Sequence, residues 1–335
     1  MKNYIVTVIM SNYNQAKFLT KAINSVLSQK TNFDFQLIIT DDHSTKDNSV
    51  EVIKNYEKKY DNIKAIFSNK NGGYLENILR AKRITKTDYF CLLDADDYWT
   101  DCLFLQKAYS FLENNNDFVI YQSNVSLFSS KENKEIGTFI SNKEPSCSFD
   151  KFDFFQNKNL LITQTTGMFF RNVIYKKGIP KIVQDSVSTI SERSFEGDWD
   201  RFYMHLKYGK AYYKNEIVGI YRITSQGIWS STKISKKIAV TARAYIDYYR
   251  FYNERPDFFI TNAWNYLREY FEIKLKEIEF SSSYSLLEDD EIKLINSVIQ
   301  YCSLHSKSII KKKSLRKKIS LIKKSIISIL SNNDH

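Results

Sequence analysis

Residues that punctuate or staple a chain are scarce here. The 335 residues include 9 glycines and 3 prolines, which excludes collagen-like and linker-dominated chains. Cysteines stand only at Cys91, Cys102, Cys147 and Cys302. No two have C-x-x-C spacing, and the pattern builds neither a zinc site nor a disulfide framework, so a reducing, intracellular compartment is expected. No run reaches the roughly 18 apolar residues that a membrane span needs. The apolar start MKNYIVTVIM turns polar at Ser11. It is too short for a signal peptide and lacks a small-residue cleavage site. No internal repeat and no long linker interrupts the chain. Acidic excess is lacking too: net charge is +11, but residues 301–335 hold nine Lys or Arg and one acidic residue. The tail therefore carries +8 and the other 300 residues only +3. A nearly neutral body with a basic tail is a stronger statement than the overall charge.

What is present supports a globular enzyme-sized chain. Hydrophobic residues make up 43%, enough for a sizeable core and too many for wholesale disorder. Residues 5–10 (IVTVIM), 35–40 (FQLIIT), 63–67 and 89–93 (YFCLL) are short apolar runs that read as buried strands. Between them, residues 15–29 place Phe18, Leu19, Ala22, Val26 and Leu27 on one helical face. A second helix opens near Asp47, and Asn71-Gly72-Gly73 turns into a third that runs to about Ile84. Such alternation predicts an α/β fold with a mixed, mostly parallel sheet covered on both faces by helices. Later, residues 118–128, 161–170 and 216–222 read as strands, 198–208 as a helix, and 233–330 as mainly helical. A boundary is expected near 232, giving a domain over 1–232 and a helical extension over 233–335.

Ligands of open α/β sheets bind beyond the carboxyl ends of the strands. Three polar clusters follow strands in that sense: Ser11–Asn14, Asp41–Asp42 and Asp94–Asp97. Asp94-Ala95-Asp96 is the central signal. A sugar nucleotide carries a diphosphate whose charge rises as the glycosidic bond breaks, and a hard cation absorbs that charge. Mg²⁺ or Mn²⁺ often takes one or two protein carboxylates together with phosphates and water. Taken alone, an acidic triplet also serves as turn or cap material, and Asp97 is placed to cap a following helix while Asp96 serves the metal. Beyond the second strand, one carboxylate of Asp41-Asp42 can accept the N3–H of uracil; the pair serves equally as turn residues feeding the helix near Asp47. Glu196-Gly197-Asp198-Trp199 opens a helix, where a carboxylate is either a cap or an ionised general base for a hydroxyl.

In combination these segments resemble family 2 glycosyltransferases, which have the GT-A fold. The pieces are VIMSNYNQAKFLTKAINSVLSQ, IITDDHSTKDNS, NKNGGYLENILRAKRITKTDYF and LLDADDYW, in order and at family-like spacing. The likeness continues more faintly through GMFFR, EGDWDRFYMHLKYGK and YRITSQGIWS, and spans about residues 4–231. It implies a nucleotide-binding half over 1–100 and an acceptor half over 101–232. It implies that Ser11 and Tyr13 line the nucleotide site, with the Tyr13 ring offered to the base, and that Asp42 holds the uracil edge. Asn77 and Arg80 lie near the donor, Asp94 contacts the ribose or a metal-bound water, and Asp96 binds Mn²⁺ or Mg²⁺. Asp198 matches the catalytic base, with Glu196 next in line. Two departures stand out: Thr224 replaces a frequent His that contacts metal or diphosphate, and Ser11-Asn12 replaces Pro-Thr.

The activity so implied is inverting transfer of a sugar from a UDP-sugar to a glycan or lipid-linked acceptor, in bacterial surface polysaccharide or glycan synthesis. A sugar-phosphate nucleotidyltransferase is the first rival, but it calls for a Gly-rich basic loop after the first strand, and SNYNQAKF is not one. A non-enzymatic module whose tail binds nucleic acid or an acidic partner is the second, and it leaves the three acidic clusters unexplained. In the tail, Leu315, Ile319, Ile322, Ile326 and Ile329 form one apolar stripe flanked by Lys311, Lys312, Lys313, Arg316, Lys317, Lys318, Lys323 and Lys324. That pattern fits a helix lying on an anionic membrane surface, so a cytoplasmic protein peripheral to the inner face of the cell membrane is expected. The same stripe fits packing onto the protein's own helices.

Overall fold

The computed structural model describes residues 2–187, 197–224, 232–280 and 294–302, with the backbone alone over 186–187 and 275–280. Period-two alternation organises its first half. In β1 (Val6–Asn12), Val6, Val8 and Met10 enter one core and Ile9 enters another on the opposite face. In β2 (Phe35–Asp41), Leu37 and Ile39 join the first core and Ile38 the second. Helix α1 (Ala16–Leu27) covers the first face with Leu19, Ala22, Ile23 and Val26, helped by Ile53 of α2 (Ser49–Lys59). Beyond β3 (Ile63–Phe67), α3 (Gly73–Ile84) covers the second face with Leu75, Ile78 and Leu79. β4 (Tyr89–Leu92) completes a parallel set in the order β3-β2-β1-β4.

The second half is mixed. After β5 (Tyr98–Trp99) and α4 (Phe104–Asn114) come β6 (Phe118–Ser129), β7 (Lys134–Thr138), β8 (Cys147–Phe149) and α5 (Lys151–Phe155). They are followed by β9 (Met168–Arg171), α6 (Lys181–Val187), α7 (Asp198–Leu206) and β10 (Lys210–Ile223). Among the described residues the sheet has ten strands and continues from β4 through β9, β6 and β10 to β5. β9 runs antiparallel to β4 and β6, whereas the long β6–β10 pairing is parallel. Residues 161–170 are not one strand: a 3-10 turn at Thr165–Gly167 precedes β9, because the Gln164 side chain accepts from the Thr166 N–H and closes the turn. Gly167 permits the close approach of that turn to β6, since a Cβ there would lie 2.1 Å from the Ser123 carbonyl oxygen.

Helices α8 (Ile234–Tyr252) and α9 (Pro256–Phe280), with a helical stretch over 294–302, share the second core with α3, α7 and the sheet. Tyr245, Tyr252, Phe258 and Phe259 close around Phe154 of α5, whose ring stacks on Tyr203 of α7 at 4.1 Å. Side chains of this size are each worth roughly 1.5–3 kcal/mol when fully buried. The C-terminal helices thus brace α7, the element that opens with Asp198. All four cysteines are free thiols. No helix of the described residues is long and apolar enough to cross a membrane. The amphipathic stripe of the tail lies outside the described residues.

Candidate active site

Register brings the loop ends together. Asn12 pairs with Asp41 and Ile9 with Leu92, so β1, β2 and β4 end side by side. Asp41 ties the first two loops: its carboxylate accepts from Asn12 Nδ2 (2.7 Å), Ser44 N (2.9 Å) and Ser44 Oγ (2.6 Å). Asn14, at φ 52°, adds a second tie, its Oδ1 accepting from the N–H groups of Thr45 and Lys46. Between these braces Tyr13 is left 44% exposed, a ring free to meet a flat ligand.

Asp42 is buried at the same edge. Oδ1 accepts from Gly72 N (2.9 Å) and Arg80 Nη1 (2.9 Å), and Oδ2 from Gly73 N (2.8 Å). Each carboxylate oxygen has two acceptor positions, so one position on Oδ2 remains for a donor such as a pyrimidine N3–H. Arg80 reaches the site through its ion pair with Asp42. Asn77 lies beneath it: the buried amide donates to the carbonyls of Asn12 and Thr40 and accepts from Arg80. Its polar atoms are spent on holding β1 and β2 to α3.

The acidic cluster follows β4. Asp94 Oδ1 accepts from Ser11 Oγ (3.2 Å) and from the Tyr74 hydroxyl (3.4 Å). Burial, with the Asp96 and Asp198 carboxylates nearby, pushes Asp94 up to about 7. Burial likewise raises Asp96, against the Arg222 guanidinium. Asp97 does not cap a helix. It is buried, accepts from Thr166 Oγ1 (2.6 Å) and Arg222 N (2.8 Å), and leads into β5; α4 begins only at Phe104, after Leu103. A buried carboxylate needs such partners, and β10 and the 3-10 turn supply them. Arg222 also donates from Nε to the Asp96 carbonyl (2.9 Å), with its guanidinium over the rings of Phe18 and Phe128. The Asp94–Asp97 loop is therefore held from three sides.

Asp198 is the first residue of α7, next to Gly197 in the capping position. The reciprocal cap is Asp200, which accepts from Gly197 N (2.9 Å) and from the Tyr248 hydroxyl of α8. Asp198 is thereby freed from capping. Its Oδ1 instead accepts from Thr165 Oγ1 and from Arg201 Nη2 (2.7 Å). Burial raises its pKa and Arg201 opposes the rise. Asp94, Asp96, Asp97 and Asp198 all act on the phenol of Tyr221, which burial raises. Carboxylates crowded and shifted in this way mark functional sites. Glu196 and the segment 225–231 lie outside the described residues.

Sequence reasoning missed Tyr74, Thr165, Arg201, Tyr221 and Arg222. Tyr74 is adjacent to the Asn71-Gly72-Gly73 turn, and that turn was its one local signal. Arg201 stands three residues after Asp198, where an i,i+3 charge pair reads as ordinary helix pairing. Thr165 and Arg222 are joined to the site by contacts across 33 and 126 residues, and Tyr221 stands next to Arg222 in the chain. Among the described residues no three His, Cys, Asp or Glu side chains gather into a ready cation cage. The donor set still fits a hard cation held largely by phosphates, because Asp96 and Asp94 offer carboxylate oxygens and a cation would relieve their mutual repulsion. Thr224, just past β10, contributes a hydroxyl and not an imidazole.

Comparison with known proteins agrees with this geometry. An uncharacterized protein of Mycobacterium tuberculosis is 24% identical over 263 residues, 75% of this chain and 70% of that one. An uncharacterized glycosyltransferase of Nostoc sp. is 45% identical over 96 residues, 28% of this chain and 29% of that one. Among solved structures, S. aureus TarS 1–349 in complex with UDP-GlcNAc aligns over 90% of this chain and 81% of its own, with TM-score 0.61 and 16% identity. That likeness is one of fold, the GT-A arrangement of sheet and helices. The model of "Glycosyl transferase family 2" matches residues 7–179, which hold β1 to β4, the Asp94–Asp97 loop and the Thr165 turn. With more than half of its length matched, the chain belongs to glycosyl transferase family 2.

Proposed function

We propose that the protein is an inverting, metal-dependent hexosyltransferase that moves a sugar from a UDP-sugar to a carbohydrate or lipid-linked oligosaccharide acceptor. One observation carries the reading: the buried Asp94 carboxylate at a strand exit feels the charges of both Asp96 and Asp198, the last about a hundred residues later in the chain, at a helix start. Residues 1–100 form the nucleotide half, 101–232 the acceptor half, and 233–335 the helical extension. Tyr13 offers its ring to the base, and Asp42 accepts the uracil N3–H at its remaining Oδ2 position. Ser11 and Asp94 meet the ribose side. Arg80 contacts the donor from its pairing with Asp42, while Asn77 keeps the strand ends in register. Asp96, with Asp94, would hold Mn²⁺ or Mg²⁺, which when bound neutralises charge on the diphosphate. Asp198 takes the proton of the acceptor hydroxyl; that oxygen bonds to the anomeric carbon as the bond to the diphosphate breaks on the opposite side. A single displacement of this kind inverts the anomeric configuration.

The choice of uridine is supported by the Asp42 geometry and by the UDP-GlcNAc complex of the TarS neighbour. The acceptor and a role in bacterial surface polysaccharide or glycan synthesis follow the family. A cytoplasmic site at the inner membrane face follows the basic stripe of residues 309–330. The test is cleavage of a panel of sugar nucleotides with and without Mn²⁺, in the wild type and in Asp198→Asn. Metal-stimulated release of UDP is expected, falling by roughly two to four orders of magnitude in the variant. A variant that binds donor normally and turns over at the wild-type rate removes Asp198 from the mechanism.

A further inference from the structure

The base in this reading is a carboxylate in an unfavourable place. Asp198 lies among Asp94 of the loop after β4, Tyr74 of α3 and Tyr221 of β10, and burial there favours its protonated form. A protonated base accepts nothing. What opposes protonation is local: Arg201, one turn along α7, is fully buried and places Nη2 2.7 Å from Asp198 Oδ1. The same Nη2 lies 2.8 Å from Thr165 Oγ1, and the Thr165 hydroxyl in turn donates to Asp198 Oδ1. The three groups close a ring across α7 and the 3-10 turn.

We propose that Arg201 is the positioning residue of the base: with Thr165 it holds Oδ1 of Asp198 and leaves Oδ2 for the acceptor hydroxyl. The inference rests on the reading of Asp198 as the base. A guanidinium stays charged in any protein environment, so Arg201 supplies a permanent positive charge that the interior cannot remove. The Arg201 and Thr165 side-chain bonds both fall on Oδ1, the Thr165 backbone N–H also favours the charged form, and the Asp198 side chain keeps 29% of its surface. The carboxylate is therefore anchored at Oδ1 on a side chain that is still partly accessible. The helix N-terminus adds a partial positive charge in the same direction. The bland alternative is an ion pair that merely staples α7 to the turn. It predicts a loss of stability and no special link to the protonation of Asp198.

Titration of Asp198 separates the two. The full-length protein is labelled with ¹³C at aspartate carboxyls, and the Asp198 resonance is identified by its absence in Asp198→Asn. Its midpoint is then followed in the wild type, Arg201→Gln, Arg201→Lys and Thr165→Val. Arg201→Gln should raise the midpoint by about one unit or more, a tenfold fall in the ionised-to-protonated ratio. Arg201→Lys should recover most of that shift, and Thr165→Val, which retains the charge, should raise it by about half a unit. If Arg201→Gln does not fold, Thr165→Val and Arg201→Lys carry the test alone. Unchanged midpoints in folded variants overturn the proposal while leaving Asp198 as base. Undiminished donor cleavage by Asp198→Asn overturns the base and leaves the clamp standing.

Discussion

Helix α7 carries both Asp198 and Arg201, and its stability should depend on a histidine one turn further on. His205 is fully buried between the rings of Phe90, Phe170 and Tyr175, and its Nδ1–H donates to the Arg201 carbonyl at 2.7 Å. Burial, reinforced by the charges of Lys82 and Arg201, pushes its pKa down to about 3. The unfolded chain binds the same proton near 6.5. Because the folded value is depressed, the neutral ring stabilises the fold above pH 6.5, and that stability is lost progressively as pH falls from about 6.5 towards 3. Between pH 7.5 and 4.5 the unfolded state gains about one proton that the folded state refuses, worth about 3 kcal/mol. His205→Met keeps a comparable volume in an apolar pocket. It loses the bond to Arg201, a pH-independent cost of about 1 kcal/mol. Urea unfolding followed by tryptophan fluorescence at the two pH values gives the stability of each protein. The wild type should lose about 3 kcal/mol more than the variant on acidification. Subtracting the two proteins removes every other titrating group. Equal losses would refute a neutral, buried His205.

Three further outcomes follow from the site. Asp96→Ala should abolish sugar transfer and leave the melting temperature within a few degrees, since the residue belongs to a loop; EDTA should mimic it, and full activity after verified metal removal rules out the cation. Asp42 should make UDP bind more tightly than CDP, whose N3 is an acceptor facing the carboxylate's lone pairs; equal affinities by calorimetry dismiss the assignment. Asp42→Asn should erase the preference and also cost about 2 kcal/mol of stability, because its amide faces the Gly73 N–H and leaves Arg80 without its charge partner. For the tail, the full chain should co-sediment with anionic liposomes at low salt and a version ending at Ser308 should not; if both stay in the supernatant, the stripe has another task.

Much of this was legible in the chain. β1, β2, β3 and β4 with α1, α2 and α3 carry their own signals, because alternation and helical periodicity are local and each element buries one face against its sequence neighbours. The clusters at Ser11–Asn14, Asp41–Asp42 and Asp94–Asp97 were legible for the same reason, since a parallel sheet aligns its strand ends. β5, β7 and β8 are short and lie where only partner strands define them, so no local pattern announces them. Asp97 read as a helix cap from its position after a strand, and its true partners, Thr166 and Arg222, are 69 and 125 residues away.

By itself, then, the sequence determined an α/β chain of the family 2 pattern, with carboxylates at strand ends and a basic, amphipathic tail. Tertiary structure decided what each carboxylate is for. Asp42 keeps one open acceptor position because a glycine turn and Arg80 fill the others. Asp198 is free of capping because Asp200 takes that task. Arg201 meets Thr165 only because β9 and α7 pack on the same sheet. Periodicity records which face of an element is buried. It carries no record of which polar groups meet inside, and the protonation of a buried carboxylate is set by those meetings alone.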